Sequence, residues 1–489
     1  MSANFNFPLP DEYVRFLPEI TLSAAATLVM LLDGVLTERS KRALAWFAMV
    51  GLSLAVVACV YAYQFPGTAF NNMIVVDGFA TFFRVLVIAV GILTVLCSES
   101  YLRGERAGPG QYYALLLYSI VGQCIMASAN ELIMVFIGLE ISSIASYILA
   151  GYLRDDRRNN ESALKYFLLG SFATAFLLYG IAWIYGVTGF TNLTEIRRTL
   201  MTPETAPSIS LIGVAAALMF VGFAFKVSAA PFQIWAPDVY QGAPAPVSAF
   251  MSAGPKAAAF AVFMRVFLTA FNPIANRWQP FVWGSAILTM VIGNFAALTQ
   301  TNIKRLLAYS SIAHAGYVMV AIAADSEIGT AAAMFYLAAY ALMQVGAFAV
   351  VTYFVRQGER YTSVEDLAGL GYKQPTVAAM LTIFLLSLIG VPLTGGFFGK
   401  FYIFKAALDS NLIWLTVIGL LNSAVAAYYY LRIIVVMYMH EPGEASATAP
   451  PVSPALSLAM WGAAVGTFVL GIFPSALLDF ADRSANLVK

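Results

Sequence analysis

The sequence predicts an all-α polytopic membrane protein of about fourteen transmembrane helices. Composition, the recurrence of long apolar windows and the placement of loop charges predict it. Of 489 residues, 60% are hydrophobic and 11% are charged, whereas a soluble domain has roughly 45–50% apolar and about 25% charged residues. A hydrocarbon core about 30 Å thick needs about 20 apolar residues per helix. Such windows recur at 18–36, 43–64, 77–97, 112–129, 131–153, 162–188 and 209–233, then at 247–271, 278–299, 303–323, 329–355, 376–406, 410–439 and 456–479. Two of them almost touch near Asn130, where a tight turn is required.

Loop charges test this count. With the N-terminus outside, the loops predicted to be cytoplasmic carry thirteen basic residues: Arg39, Lys41, Arg42, Arg103, Arg106, Arg154, Arg157, Arg158, Lys304, Arg305, Arg356, Arg360 and Lys373. The other side carries six, Arg15, Arg197, Arg198, Arg277, Arg483 and Lys489. That is the asymmetry of the positive-inside rule, and with an even number of spans it places both termini outside.

The net charge of +1 gives no field to attract nucleic acid. The first nineteen residues hold Asp11, Glu12, Arg15 and Glu19, without a basic n-region or a small-residue cleavage site, so no cleaved signal peptide is expected. Cys59, Cys97 and Cys124 stand alone, and no Cys/His cluster suggests a metal or iron–sulfur site. Residues 444–454, rich in Ala, Ser, Thr and Pro, read as a loop. A faint repeat relates Leu139-Glu-Ile-Ser-Ser-Ile-Ala145 to Leu307-Ala-Tyr-Ser-Ser-Ile-Ala313 at an offset of 168, and Pro231 to Pro392 at 161, which suggests duplicated five-helix units.

Charges inside the spans carry the chemistry. Glu140 lies near the middle of the fifth span, Lys226 in the seventh, Lys256 after Gly254-Pro255 in the eighth, and Lys400 after Gly399 in the twelfth. A charge at a helix centre costs about 2.5–3.5 kcal/mol on insertion scales, and such residues usually mark ion or proton pathways. The bland alternative is a lysine that snorkels or pairs for packing. Arginine holds its proton and serves as a fixed charge, so Arg84, Arg265 and Arg432 read as structural. Lysine can release its proton, so a Glu140–Lys226 pair would act as a switch. Pro231 sits five residues after Lys226 and Pro392 eight before Lys400. Proline frees backbone groups inside a helix, so each break suggests a hydrated pocket at membrane depth. Lys165 and His314 are accessory candidates; a lone histidine is often a satisfied core residue, yet it titrates near neutrality. The run Gly395–Lys400 is no phosphate loop, because Thr394 and Phe401 occupy the required glycine and Ser/Thr positions.

The run Gly222-Phe-Ala-Phe-Lys226-Val-Ser-Ala-Ala-Pro231-Phe-Gln-Ile-Trp235-Ala-Pro237-Asp238-Val-Tyr240-Gln-Gly242-Ala-Pro244, followed by Gly254-Pro255-Lys256, resembles the signature of the antiporter-like, proton-translocating subunits of bacterial respiratory complex I. Val135-Phe-Ile-Gly138-Leu-Glu140, Ala163-Leu-Lys165, Tyr309-Ser-Ser-Ile-Ala-His314 and Pro392-Leu-Thr-Gly395-Gly-Phe-Phe-Gly399-Lys400 fit the same family, and lysine at 400 narrows the match within it. The resemblance implies three leading helices (1–110), two inverted five-helix repeats (111–271 and 272–440) with broken seventh and twelfth helices, and a closing loop and helix (441–489). It implies Glu140 as modulating carboxylate, Lys226 as its partner, Lys256 as central relay and Lys400 as terminal lysine. It also implies no cofactor on this chain, with FMN, iron–sulfur clusters and quinone on other subunits, neighbouring antiporter-like subunits as partners, and the bacterial inner membrane as location. A multi-subunit cation/proton antiporter subunit and a non-conducting scaffold stay open as alternatives.

Overall fold

The computed structural model describes residues 9–202, 209–355, 358–448 and 450–485; Arg356 and Lys489 of the charge count lie outside them. The long helices are α1 Leu17–Val35, α2 Ala43–Ala62, α3 Gly78–Glu105, α4 Pro109–Ser128, α5 Leu132–Ala150, α6 Arg157–Thr188, α7 Ile209–Val227, α8 Trp235–Gly242, α9 Ala245–Arg265, α10 Ala275–Leu298, α11 Ile303–Ala323, α12 Glu327–Val355, α13 Pro375–Ile389, α14 Gly395–Asp409, α15 Ile413–Met439 and α16 Pro454–Ile472. Their starts are set by local chemistry. Asp77 accepts from Ala80 N at the head of α3, Asn302 from Arg305 N at the head of α11, and proline opens α4, α13 and α16. The one sheet among the described residues is a hairpin of β1 Gly67–Ala69 and β2 Ile74–Val76.

Among the described residues, twelve helices are long and apolar enough to cross a membrane. The sequence predicts about fourteen spans. The two outside the twelve are α4, a helix of 20 residues, and 376–406, which divides into α13 and α14 of 15 residues each. The tight turn predicted near Asn130 joins α4 and α5. At the centre stand α9, α11 and α12, whose most apolar windows are 94% buried, while α1 and α2 present most of their surface outward.

The ends of the helices sort into two faces. On one, Asn130 and Asn192 both donate to Asn72 O in the hairpin turn, and Glu131 pairs with Asn192 in an isolated bridge. On the other, Asn302 pairs with Ser363 in the same kind of bridge. The two bridges are 171 residues apart at both positions (131 to 302, 192 to 363). Helix α3 runs from Asp77, beside the hairpin, to Glu105, which accepts from Gly358 N near the second bridge. Its 28 residues span about 42 Å, so the two bridges lie on opposite faces. Glycine packing repeats the offset. A Cβ on Gly122 would meet Gly138 O and Ser142 N, and one on Gly293 would meet Tyr309 O and Ala313 N, again 171 apart. This corrects the offset of 168 read from the sequence. The Ser-Ser-Ile-Ala strings match three residues, nearly one helical turn, out of that register, because such strings are common in spans and carry no packing register.

Buried ion pairs tie the outer helices to the core. Arg84 meets Glu19 at 2.7 Å, and Arg265 grips Asp77 through two bonds of 2.9 and 3.0 Å. Arg432 donates to Leu298 O and Gln300 O. All three arginines thus take the structural roles predicted for them. Breaking a buried pair costs about 3–5 kcal/mol, because the remaining charge is left without a partner. Arg265→Ala should therefore lower thermal stability strongly in detergent, and the double variant Arg265→Gln/Asp77→Asn should be less damaged than the single one.

Candidate proton-relay site

The sequence places its embedded charges on α5, α7, α9 and α14, and the structure sets each in a different local chemistry. Lys226 does not pair with Glu140. Its Nζ donates to Ser143 Oγ at 2.6 Å and Tyr147 OH at 3.3 Å, and lies 5.2 and 5.6 Å from the rings of Tyr147 and Tyr166. Ser143 and Tyr147 are one and two turns beyond Glu140 on α5, and Glu140 Oε1 is buried without a hydrogen-bond partner among the described residues. The predicted ion pair is replaced by hydroxyl and ring contacts, because Lys226 enters α5 one turn further along.

Lys256 is 2% exposed. Its Nζ donates to Ser311 O at 3.0 Å and Ser311 Oγ at 2.5 Å, and Tyr340 OH bonds the same Oγ at 2.8 Å. One turn further on α11, His314 bonds Tyr336 OH through Nδ1 and Tyr430 OH through Nε2, the latter at 3.1 Å. Its ring lies 5.4 Å from Tyr340 and 5.5 Å from Tyr317. Lys400 lies over the Tyr317 ring at 4.8 Å and donates to Ser423 Oγ at 2.8 Å. A hydroxyl-rich core around His314 thus stands between Lys256 and Lys400. From the sequence His314 reads only as an accessory position, and Tyr317, Tyr336, Tyr340 and Tyr430 do not stand out. The available signal was Tyr336 and Tyr340 at i and i+4 in an Ala-rich helix, which puts both hydroxyls on one face.

The two helix interruptions explain the rest. Between α7 and α8 the chain passes through Pro231, whose preceding peptide bond is cis. The backbone groups freed there go to protein side chains: Trp235 Nε1 donates to Phe225 O, Ala230 N donates to Thr289 Oγ1, and Ser285 Oγ donates to Ala230 O. Between α13 and α14, around Pro392, Lys400 Nζ donates to Leu388 O and Ile389 O at 2.9 Å each. Gly390 is the C-cap of α13, and the Lys400 side chain covers its last carbonyls, with its charge on the negative end of the helix dipole. Side chains thus cap the backbone groups freed at both breaks. Beside the second break, a 600 Å³ cleft walled mostly by apolar side chains such as Phe397, Phe401, Leu408 and Leu420 also holds Lys400, Ser423, Lys405 and Asp409, the last two exposed.

Lys165 sits apart. With its side chain 41% exposed, it bonds Glu161 and Asp238, and Asp238 also holds Arg305 at 2.6 Å. This network pins α8 to α6 and α11 at the surface and does not reach the buried lysines. Lys304, counted from the sequence as a loop charge, is instead fully buried on Glu359 at 2.5 Å.

A multi-pass bundle with interrupted helices and buried lysines around a tyrosine–histidine core defines a class of membrane ion-translocating subunit. Residues 129–426 match the family described as NADH:quinone oxidoreductase/Mrp antiporter, TM. The chain is 65% identical, over the full length of both, to NADH-quinone oxidoreductase subunit N 1 of Solibacter usitatus. Among solved structures, a chain of respiratory complex I from Thermus thermophilus is 35% identical with a TM-score of 0.80, covering 94% of this chain and 98% of that one. A chain of the Mrp complex from Dietzia shares the fold at 21% identity and a TM-score of 0.80, covering 96% and 97%. The chain belongs to the NADH:quinone oxidoreductase/Mrp antiporter membrane family, in its NADH-quinone oxidoreductase subunit N branch.

Thr289 is fully buried and caps Ala230 N. Leaving a buried donor unsatisfied costs about 1–3 kcal/mol. Thr289→Val should lower the unfolding temperature while Thr289→Ser largely retains it, which thermal denaturation of the purified protein checks.

Proposed function

We propose that this chain is a proton-translocating membrane-arm subunit of a bacterial NADH:quinone oxidoreductase, embedded in the inner membrane with both termini periplasmic. In this reading α7 with α8, and α13 with α14, are the two broken helices of fourteen crossings in two inverted units, which the paired bridges 171 residues apart support. The redox groups (FMN, iron–sulfur clusters and quinone) belong to other subunits, and this chain contributes no redox site to the enzyme. Neighbouring antiporter-like subunits flank it.

The observation that carries the reading is the shared core of Lys256, His314 and Lys400. Two lysines, 2% and 5% exposed, stand at its two sides, joined through Ser311, Tyr340, His314 and Tyr317. Hydroxyls and an imidazole both donate and accept; hydrogen bonds run from Lys256 through Ser311 to Tyr340 and from His314 to Tyr336 and Tyr430, and ring contacts alone separate these groups from each other and from Lys400. Lys400 then passes its proton into the cleft with Lys405 and Asp409. Glu140, with a free buried oxygen one turn from Ser143, tunes Lys226 by approaching it when the neighbouring subunit shifts charge. Lys165 acts in this scheme as an anchor of α8.

In inverted membrane vesicles, Lys256→Ala and Lys400→Ala should each cut NADH-driven proton pumping about tenfold or more, with the complex still assembled. Normal pumping in both assembled variants would sink the relay.

A further inference from the structure

Three ion pairs are buried among the described residues: Arg84–Glu19, Arg265–Asp77 and Lys304–Glu359. Two use arginine, which keeps its proton. The third uses lysine, and its surroundings differ. Lys304 is 0% and Glu359 5% exposed. Glu359 Oε1 accepts from Tyr101 OH and from Ala245 N, the first residue of α9, both at 3.0 Å. Lys304 Nζ also donates to Ala243 O at 2.6 Å. On its outer side, Gly358 donates to Glu105 at 2.8 Å, and both line a 770 Å³ polar cavity with Arg154, Asp155, Asp156 and Arg158.

Inward, Lys304 and Ser311 are i and i+7 on α11, on one face about 10 Å apart along the helix. Ser311 is the residue that holds Lys256. Between them lies Gln344 on α12, fully buried; its Nε2 donates to Leu307 O at 3.3 Å, and its Oε1 has no partner. Gln344 is one turn from Tyr340, whose hydroxyl bonds Ser311. A buried carbonyl oxygen without a partner is a place for a bridging water. An ion pair buried for stability alone is a weak device, since apolar replacements are often as stable.

We propose that Lys304 and Glu359 are the proton intake of this subunit, feeding Lys256 from the polar cavity by way of Gln344, Tyr340 and Ser311. This rests on the reading of Lys256 as the central relay. In the step, an N–H bond of the Lys304 ammonium breaks and its proton passes along water and hydroxyls to the neutral amine of Lys256. Neutral Lys304 is then reprotonated from the cavity through Glu359, which ends as the carboxylate again. One proton moves from cavity to Lys256, and nothing is oxidised or reduced.

The test uses the assembled complex in inverted vesicles. Lys304→Arg retains the ion pair but cannot release its proton, and Gln344→Leu removes the stepping stone without touching a charge. Each should assemble and lower proton pumping about tenfold or more. Normal pumping in assembled Lys304→Arg overturns the proposal, and so does normal pumping in Gln344→Leu. Where Lys304→Arg fails to assemble, Gln344→Leu decides. Lys256→Ala, run alongside, separates the two readings: loss there with normal pumping in the intake variants sinks the intake alone.

Discussion

In a hydrocarbon interior a charge or a freed peptide group has no water within reach, so each must end on another group of the same protein. Nearly every feature of the site follows from this. The carbonyls released where α13 stops are taken by Lys400, so a buried ammonium finishes a helix. The groups released around Pro231 are taken by Trp235, Thr289 and Ser285, which leaves Lys226 free to reach across to α5. Function and folding draw on one set of side chains, and a change in the position of α14 necessarily alters what Lys400 can bond.

The buried charges divide by their chemistry. Guanidinium groups at Arg84 and Arg265 are locked on carboxylates and fasten α3 and α9 to neighbouring segments. Lysines at 226, 256 and 400 have no carboxylate within ion-pair distance among the described residues and rest on hydroxyls, carbonyls and ring faces instead. Hydroxyl partners can rotate to donate or accept, whereas the two carbonyls at the end of α13 and the ring faces favour the charged form of the lysine.

Repetition in the fold is more exact in packing than in letters. Bridges and glycine contacts recur at 171 residues, whereas the visible string match lies at 168. Backbone contact at Gly122 and Gly293 demands a missing Cβ at a fixed register, while Ser, Ile and Ala elsewhere on the helix interchange freely. The two units nevertheless differ where chemistry differs: the second supplies His314 and the tyrosines, and the first supplies Glu140 with Ser143 and Tyr147.

The sequence by itself determined the membrane class and most helix positions, because hydropathy acts locally along the chain. It also distinguished arginines, which hold their protons, from lysines, which can release them, since that difference is intrinsic to the side chain. Tertiary structure alone decided which residues meet. Lys165 and Lys304 looked alike as basic residues near helix ends, yet one lies in a surface network and the other is sealed on Glu359, 55 positions away. Glu140 and Lys226 looked like partners, and one turn of register gave the lysine to Ser143 instead. His314 gained its central place only through Tyr336, Tyr340 and Tyr430 on two other helices. Such meetings depend on the rotation and depth of one helix against another, and a hydrophobic pattern that is apolar nearly all round leaves both undetermined.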